Sequence, residues 1–151
     1  METLIKEKIF NNDYDTAYKM IKKLDSKSKF DIIVSISCDT TDIRIIGFAF
    51  FLIQKDSSYD NYNIMVNVLH QMCWLDGAYH LAYFYATEMY KMTNSIEDKK
   101  RLLFYWLVPE KPMPDNLALQ FAKEILEKDS TCCIAKEILE KIQPFRNNFK
   151  N

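Results

Sequence analysis

The chain has 151 residues, 48% of them hydrophobic and 14% aromatic, and its 20 basic and 21 acidic side chains leave a formal charge of −1. One domain of that length buries about two-thirds of the surface its unfolded form exposes, and so apolar a composition excludes a disordered tail. Two glycines argue against the phosphate-cradling backbone of nucleotide folds and the tight turns of an all-β protein, while balanced charge removes any strong pull toward nucleic acid or anionic lipid.

Glu2, Lys6, Glu7 and Lys8 interrupt any apolar run at the start, so the sequence carries no recognisable signal peptide. Periodicity predicts helices over about 2–11 and 14–25, separated by the turn residues Asn11-Asn12-Asp13. Asp25-Ser26-Lys27-Ser28 leads to a third helix over about 28–38, in which Ile32 to Ile36 is β-branched but has no partner strand. A fourth helix, about 41–55, contains the most apolar stretch, Ile43 to Ile53; Arg44 and its short length rule out a membrane span. Helices over about 60–73, 77–92 and 96–108 follow, and then Pro109, Pro112 and Pro114 make PEKPMP incompatible with a helix. The last two, about 115–128 and 131–142, are joined by Asp129-Ser130, with Ser130 expected as the N-cap of the second. So short a join makes them antiparallel neighbours. Residues 143–151 are expected to fray.

Alanines recur at one place in alternate helices: Ala17, Ala49, Ala82 and Ala118. A period in this range signals a stacked-repeat architecture, and a methyl group there lets a neighbouring backbone approach closely. On these residues the chain resembles tetratricopeptide repeats: NDYDTA (12–17), LDGAYHLAYFYA (75–86) and ALQFAKEILEKDS (118–130), while TDIRIIGFAFFL (41–52) is similar to the second helix of a HEAT unit. The resemblance implies an all-α fold, a right-handed α-solenoid of about four helix hairpins plus a C-terminal capping helix, with one domain over 1–142. It also implies binding of proteins or peptides. GAYHLAYFYA, RLLFYWLVPEK and ALQFAKEILEKDS are similar to small helical-repeat immunity proteins encoded beside bacterial polymorphic toxins.

The helix WLDGAYHLAYFYATEMY sharpens that expectation. At about 100° per residue, Ala78, Leu81, Ala82, Tyr85, Ala86 and Met89 form one apolar seam, bordered by Tyr79, Tyr83 and Tyr90. Tyrosine and tryptophan give large contact area at low entropy cost, so Tyr79, Tyr83, Tyr90 and Trp74 are the candidate partner-binding residues. The competing reading places the tyrosines at the core edge.

No catalytic or metal motif emerges. His70-x-x-Cys73 sets two ligand-capable groups one turn apart, but a structural zinc site wants four, and neither Cys38 nor Cys132-Cys133 supplies a Cys-x-x-Cys spacing. The four cysteines lack a disulfide framework and read as reduced thiols, which places the chain in the cytoplasm. Asp60, Asp76, Glu88, Glu97, Asp98 and Glu110 read as caps and solvated faces. The expected function is that of a non-enzymatic protein-binding module without cofactor or metal, most specifically an immunity or antitoxin protein that neutralises a toxin. The alternatives are a peptide-binding adaptor and, less favoured by the balanced charge, a nucleic-acid-binding repeat.

Overall fold

The computed structural model describes the backbone of residues 1–147 and the side chains of residues 1–142. Those residues form helices α1 (Glu2–Phe10), α2 (Tyr14–Ile21), α3 (Ser26–Thr40), α4 (Arg44–Lys55), α5 (Tyr59–Gln71), α6 (Ala78–Thr93), α7 (Ile96–Leu107), α8 (Asp115–Lys128) and α9 (Cys133–Asn147). No strand occurs among the described residues, so the fold is all-α. The tail expected to fray from 143 is helical to Asn147, and residues 148–151 lie outside the described residues.

Local chemistry sets the helix ends. The Asp13 side chain accepts from the Thr16 backbone N–H at 3.3 Å, and the Asp25 carboxylate from that of Ser28 at 2.9 Å. Each meets an orphan donor of a first turn. Because Asp25 caps α3, α2 ends at Ile21 and α3 begins at Ser26, earlier than periodicity alone indicates. Thr41 ends α3 in the left-handed region at φ 47°. Ser130 does not serve as the cap expected of it. Asp129 builds that turn, its carboxylate accepting from the Thr131 N–H at 3.0 Å and hydroxyl at 2.6 Å.

The chain forms two compact units, Met1–Tyr85 and the residues from Ala86 onward, with the boundary inside α6. In unit 1, α4 is the hub, packing against α1, α2, α3 and α5. Its sequence IIGFAFFLI buries Ile45, Phe48, Ala49, Leu52 and Ile53. Burying a side chain such as Phe48 contributes about 1.5–3 kcal/mol. The Tyr14 ring lies 5.5 Å from that of Phe48 and 5.7 Å from that of Phe51, and its hydroxyl donates to the Arg44 carbonyl at 2.9 Å. That approach needs Gly47: a Cβ there would stand 2.6 Å from the Tyr14 oxygen.

In unit 2, α7, α8 and α9 pack on one another. Leu102, Leu103 and Tyr105 of α7 meet a core that also holds Phe121, Ile125 and Ile138. Polar links brace it. The Lys99 ammonium pairs with Glu124 across α7 and α8, and the Trp106 indole N–H donates to Asp115 at 2.7 Å.

Candidate functional site

Helix α6 begins in unit 1, where a low-profile seam is buried: Ala78, Ala82 and Tyr85. The Tyr85 ring lies 5.8 Å from that of Tyr62, and burial, followed by the neighbouring Tyr62 hydroxyl, pushes the Tyr85 phenol up. Leu81 departs from the expected seam. It is 40% exposed, because at about 100° per residue it falls on the far edge of the apolar arc, toward His80 and Phe84.

The four candidate residues divide. Trp74, in the α5–α6 link, is 57% exposed. Tyr79 and Tyr83 are half-buried, and the Tyr79 ring stands 6.1 Å from the His70 imidazole. In unit 2, Tyr90 is half-buried with its ring edge-on to Phe121 at 5.3 Å and the Lys99 ammonium 5.7 Å from its centre. Tyr90 therefore has a packing role on its own, whatever else it does.

Sequence reasoning missed Phe84. It is 55% exposed and packs edge-on to Tyr85 at 5.2 Å. The signal was present: Phe84 sits four residues after the exposed His80, an aromatic ring on the helix's polar strip. Trp74, Leu81 and Phe84 thus offer three large apolar groups from unit 1. Across residues 71–87 only Asp76 carries a formal charge.

The groups weighed for chemistry are spread out. All four cysteines are free; Cys38, Cys73 and Cys133 are exposed and Cys132 is half-buried. Among the described residues, no group of three or more His, Cys, Asp or Glu side chains is placed to hold a metal. Asp98 is buried as part of the α7 cap: the Thr93 and Ser95 hydroxyls donate to it, and its own N–H donates to the Ser95 hydroxyl at 3.1 Å. Glu88 pairs with Lys91 at 2.6 Å and Glu97 with Lys100 at 2.9 Å. Asp60 and Asp76 are exposed, and Glu110 is half-buried. No described helix is long and apolar enough to cross a membrane. Compared with known protein families, curated proteins and solved structures, the chain matches none.

Proposed function

We propose that this chain is a protein-binding module that works without catalysis, most specifically an immunity or antitoxin-type protein that covers a cognate toxin. The observation that carries the reading is the exposure of Trp74, Leu81 and Phe84, at 57%, 40% and 55%. Large apolar groups held in water by a folded chain cost solvation without strengthening the core, and such groups dominate binding hot spots when a partner covers them. The half-buried Tyr79 and Tyr83 add hydroxyls at the border of the same helix. The finer fold reading, helix hairpins stacked as irregular tetratricopeptide-like repeats within each unit, is supported by the complete burial of Ala17, Ala49, Ala82 and Ala118 at the repeat period.

The test is capture of a partner from the native host by tagged protein, followed by light scattering on the purified pair. One folded protein in a stoichiometric complex is expected. Trp74→Ala with Phe84→Ser should weaken that complex roughly 30-fold or more while leaving helicity intact. Capture of nothing by the wild type, or undiminished binding by the folded double variant, would overturn the reading. Preferential binding of short synthetic peptides would favour an adaptor over an immunity protein.

A further inference from the structure

We propose that a lysine-rimmed cleft of unit 1, at the turn from α2 to α3, receives an acidic peptide segment bearing an apolar side chain. The inference concerns a surface other than the Trp74–Phe84 stretch, and it rests on the protein-binding reading in taking the ligand to be part of a protein.

Two depressions of about 170 and 200 Å³ meet at this turn, and Ser26 lines both. The first has Ile21, Leu24 and Leu52 as its apolar lining, with Tyr18 beside them and Lys22 and Lys29 as its cations. The second is lined by Lys27 and Phe30. A cavity of that size admits a side chain rather than a cofactor.

Charge is the independent observation. Residues 19–29 hold five lysines (19, 22, 23, 27 and 29) against one carboxylate, Asp25. Asp25 is committed to the α3 cap, and hydrogen bonds from Ser28 hold its carboxyl below the usual range. Among the described residues, none of those five lysines has a carboxylate within ion-pair distance. Other lysines do: Lys55 pairs with Asp15, Lys100 with Glu97 and Asp129, and Lys111 with Asp115. Lys29 donates to the amide oxygen of Asn61 at 2.9 Å, a neutral partner. With Asp56 and Asp60 also lining the depressions, the five lysines still outnumber the three carboxylates at this turn, and an anionic ligand relieves the repulsion among them.

The acids nearby choose between anionic ligands. Asp56 lines the first depression and Asp60 the second. A continuous run of phosphates laid across the turn would meet both. A peptide spaces its carboxylates, so it can set them on Lys22, Lys27 and Lys29 while its backbone N–H groups face the aspartates. The Asn61 side chain is 3% exposed and its amide N–H₂ donates to the Leu52 and Asp56 carbonyls, closing the end of α4. Asn61 and Lys29 are therefore part of the fold, and the test leaves them alone.

The probe is a fluorescein-labelled heptapeptide of glutamates with one central leucine, followed by anisotropy. Binding that weakens as salt rises is expected, and Lys22→Glu with Lys27→Glu, both exposed, should weaken it roughly tenfold or more. A central serine in place of leucine should also reduce affinity. No binding of the acidic peptide, equal binding by the folded double variant, or tighter binding of a short oligothymidylate would each overturn the proposal, the last in favour of nucleic acid. Partner capture is read separately. If Trp74→Ala with Phe84→Ser abolishes capture and the lysine variant neither loses it nor loses the peptide, the cleft proposal fails and the protein-binding reading stands.

Discussion

In unit 1 the hub helix α4 is held by rings and by one glycine-permitted close approach, whereas in unit 2 helix α7 is tied to its neighbours by charged and indole hydrogen bonds. Tyr14, Phe48 and Phe51 cluster within 6.4 Å of one another, and the Lys55 ammonium stands 4.7 Å from the Phe51 ring. In unit 2, Lys99–Glu124, Lys100–Asp129 and Trp106–Asp115 join α7 to α8 and the turn after it, and Lys111 lies 4.4 Å from the Trp106 ring. The difference shows where charge has been spent. In unit 2, Lys99 and Lys100 pair with carboxylates of α8 and the turn after it, while the α2–α3 lysines of unit 1 have no carboxylate within ion-pair distance among the described residues, and Trp74, Leu81 and Phe84 are exposed.

The largest expected effect breaks the hub. Phe48 is fully buried in α4, so Phe48→Ala removes a whole ring from a helix that touches four others. A loss of about 3–5 kcal/mol follows from the missing contacts and the cavity left behind. Hydrogen exchange locates it: amides of α1, α2, α4 and α5 should lose protection more than those of α8 and α9. Equal loss in both units would show that the division of the chain has no energetic counterpart.

A smaller and more specific test concerns Gly47. Alanine is the better helix former by about 1 kcal/mol, yet its Cβ would meet the Tyr14 oxygen at 2.6 Å. Tyr14 cannot easily yield, since its ring is packed against Phe48 and Phe51 and its hydroxyl is bonded to the Arg44 carbonyl. Gly47→Ala should therefore destabilise by about 1–2 kcal/mol, within the usual range for overpacking. Tyr14→Phe removes the clashing oxygen and leaves the next atom at 3.5 Å, an ordinary contact. In that background the same Gly47→Ala change should become neutral or stabilising. A denaturant-midpoint cycle without that reversal of sign would refute the close-approach account.

Much of this architecture was legible because it is local. The turn residues Asn11-Asn12-Asp13 and Asp25-Ser26-Lys27-Ser28, the PEKPMP break and the helical periodicity act within one or two turns, and they place the helices to within a few residues. Ala17, Ala49, Ala82 and Ala118, singled out by their spacing, are each buried. What sequence could not supply was which border of α6 faces water. Tyr79 and Tyr83 flank one side of the seam and Leu81 and Phe84 the other, and a helical wheel has no means of placing the neighbouring helices. The pairings of Lys29 with Asn61 and Lys99 with Glu124 were equally hidden, because 32 and 25 residues separate the partners.

The smallest effect sharpens the unit 2 side. The Asp129 carboxylate accepts from the Thr131 hydroxyl and backbone N–H and pairs with Lys100 at 2.9 Å; the Thr131 hydrogen bond first, and then Lys100, hold its carboxyl well below the usual carboxylate range. A carboxyl whose folded value is depressed contributes stability above its unfolded value, and loses that contribution as pH falls through the folded value. The unfolded value is 3.8, so the window opens near pH 4 and extends downward. Asp129→Asn retains an oxygen acceptor for Thr131 but has no charge for Lys100 and no carboxyl to titrate. The stability difference between wild type and Asp129→Asn should be constant between about pH 7 and 5 and shrink below about pH 4. The charged part should also shrink in high salt, since the pair is solvent-accessible. A difference that held constant to the acid limit of the folded state would mean that Asp129 serves unit 2 through its turn geometry alone, and the contrast in how the two units use charge would then rest on Lys99 and Glu124.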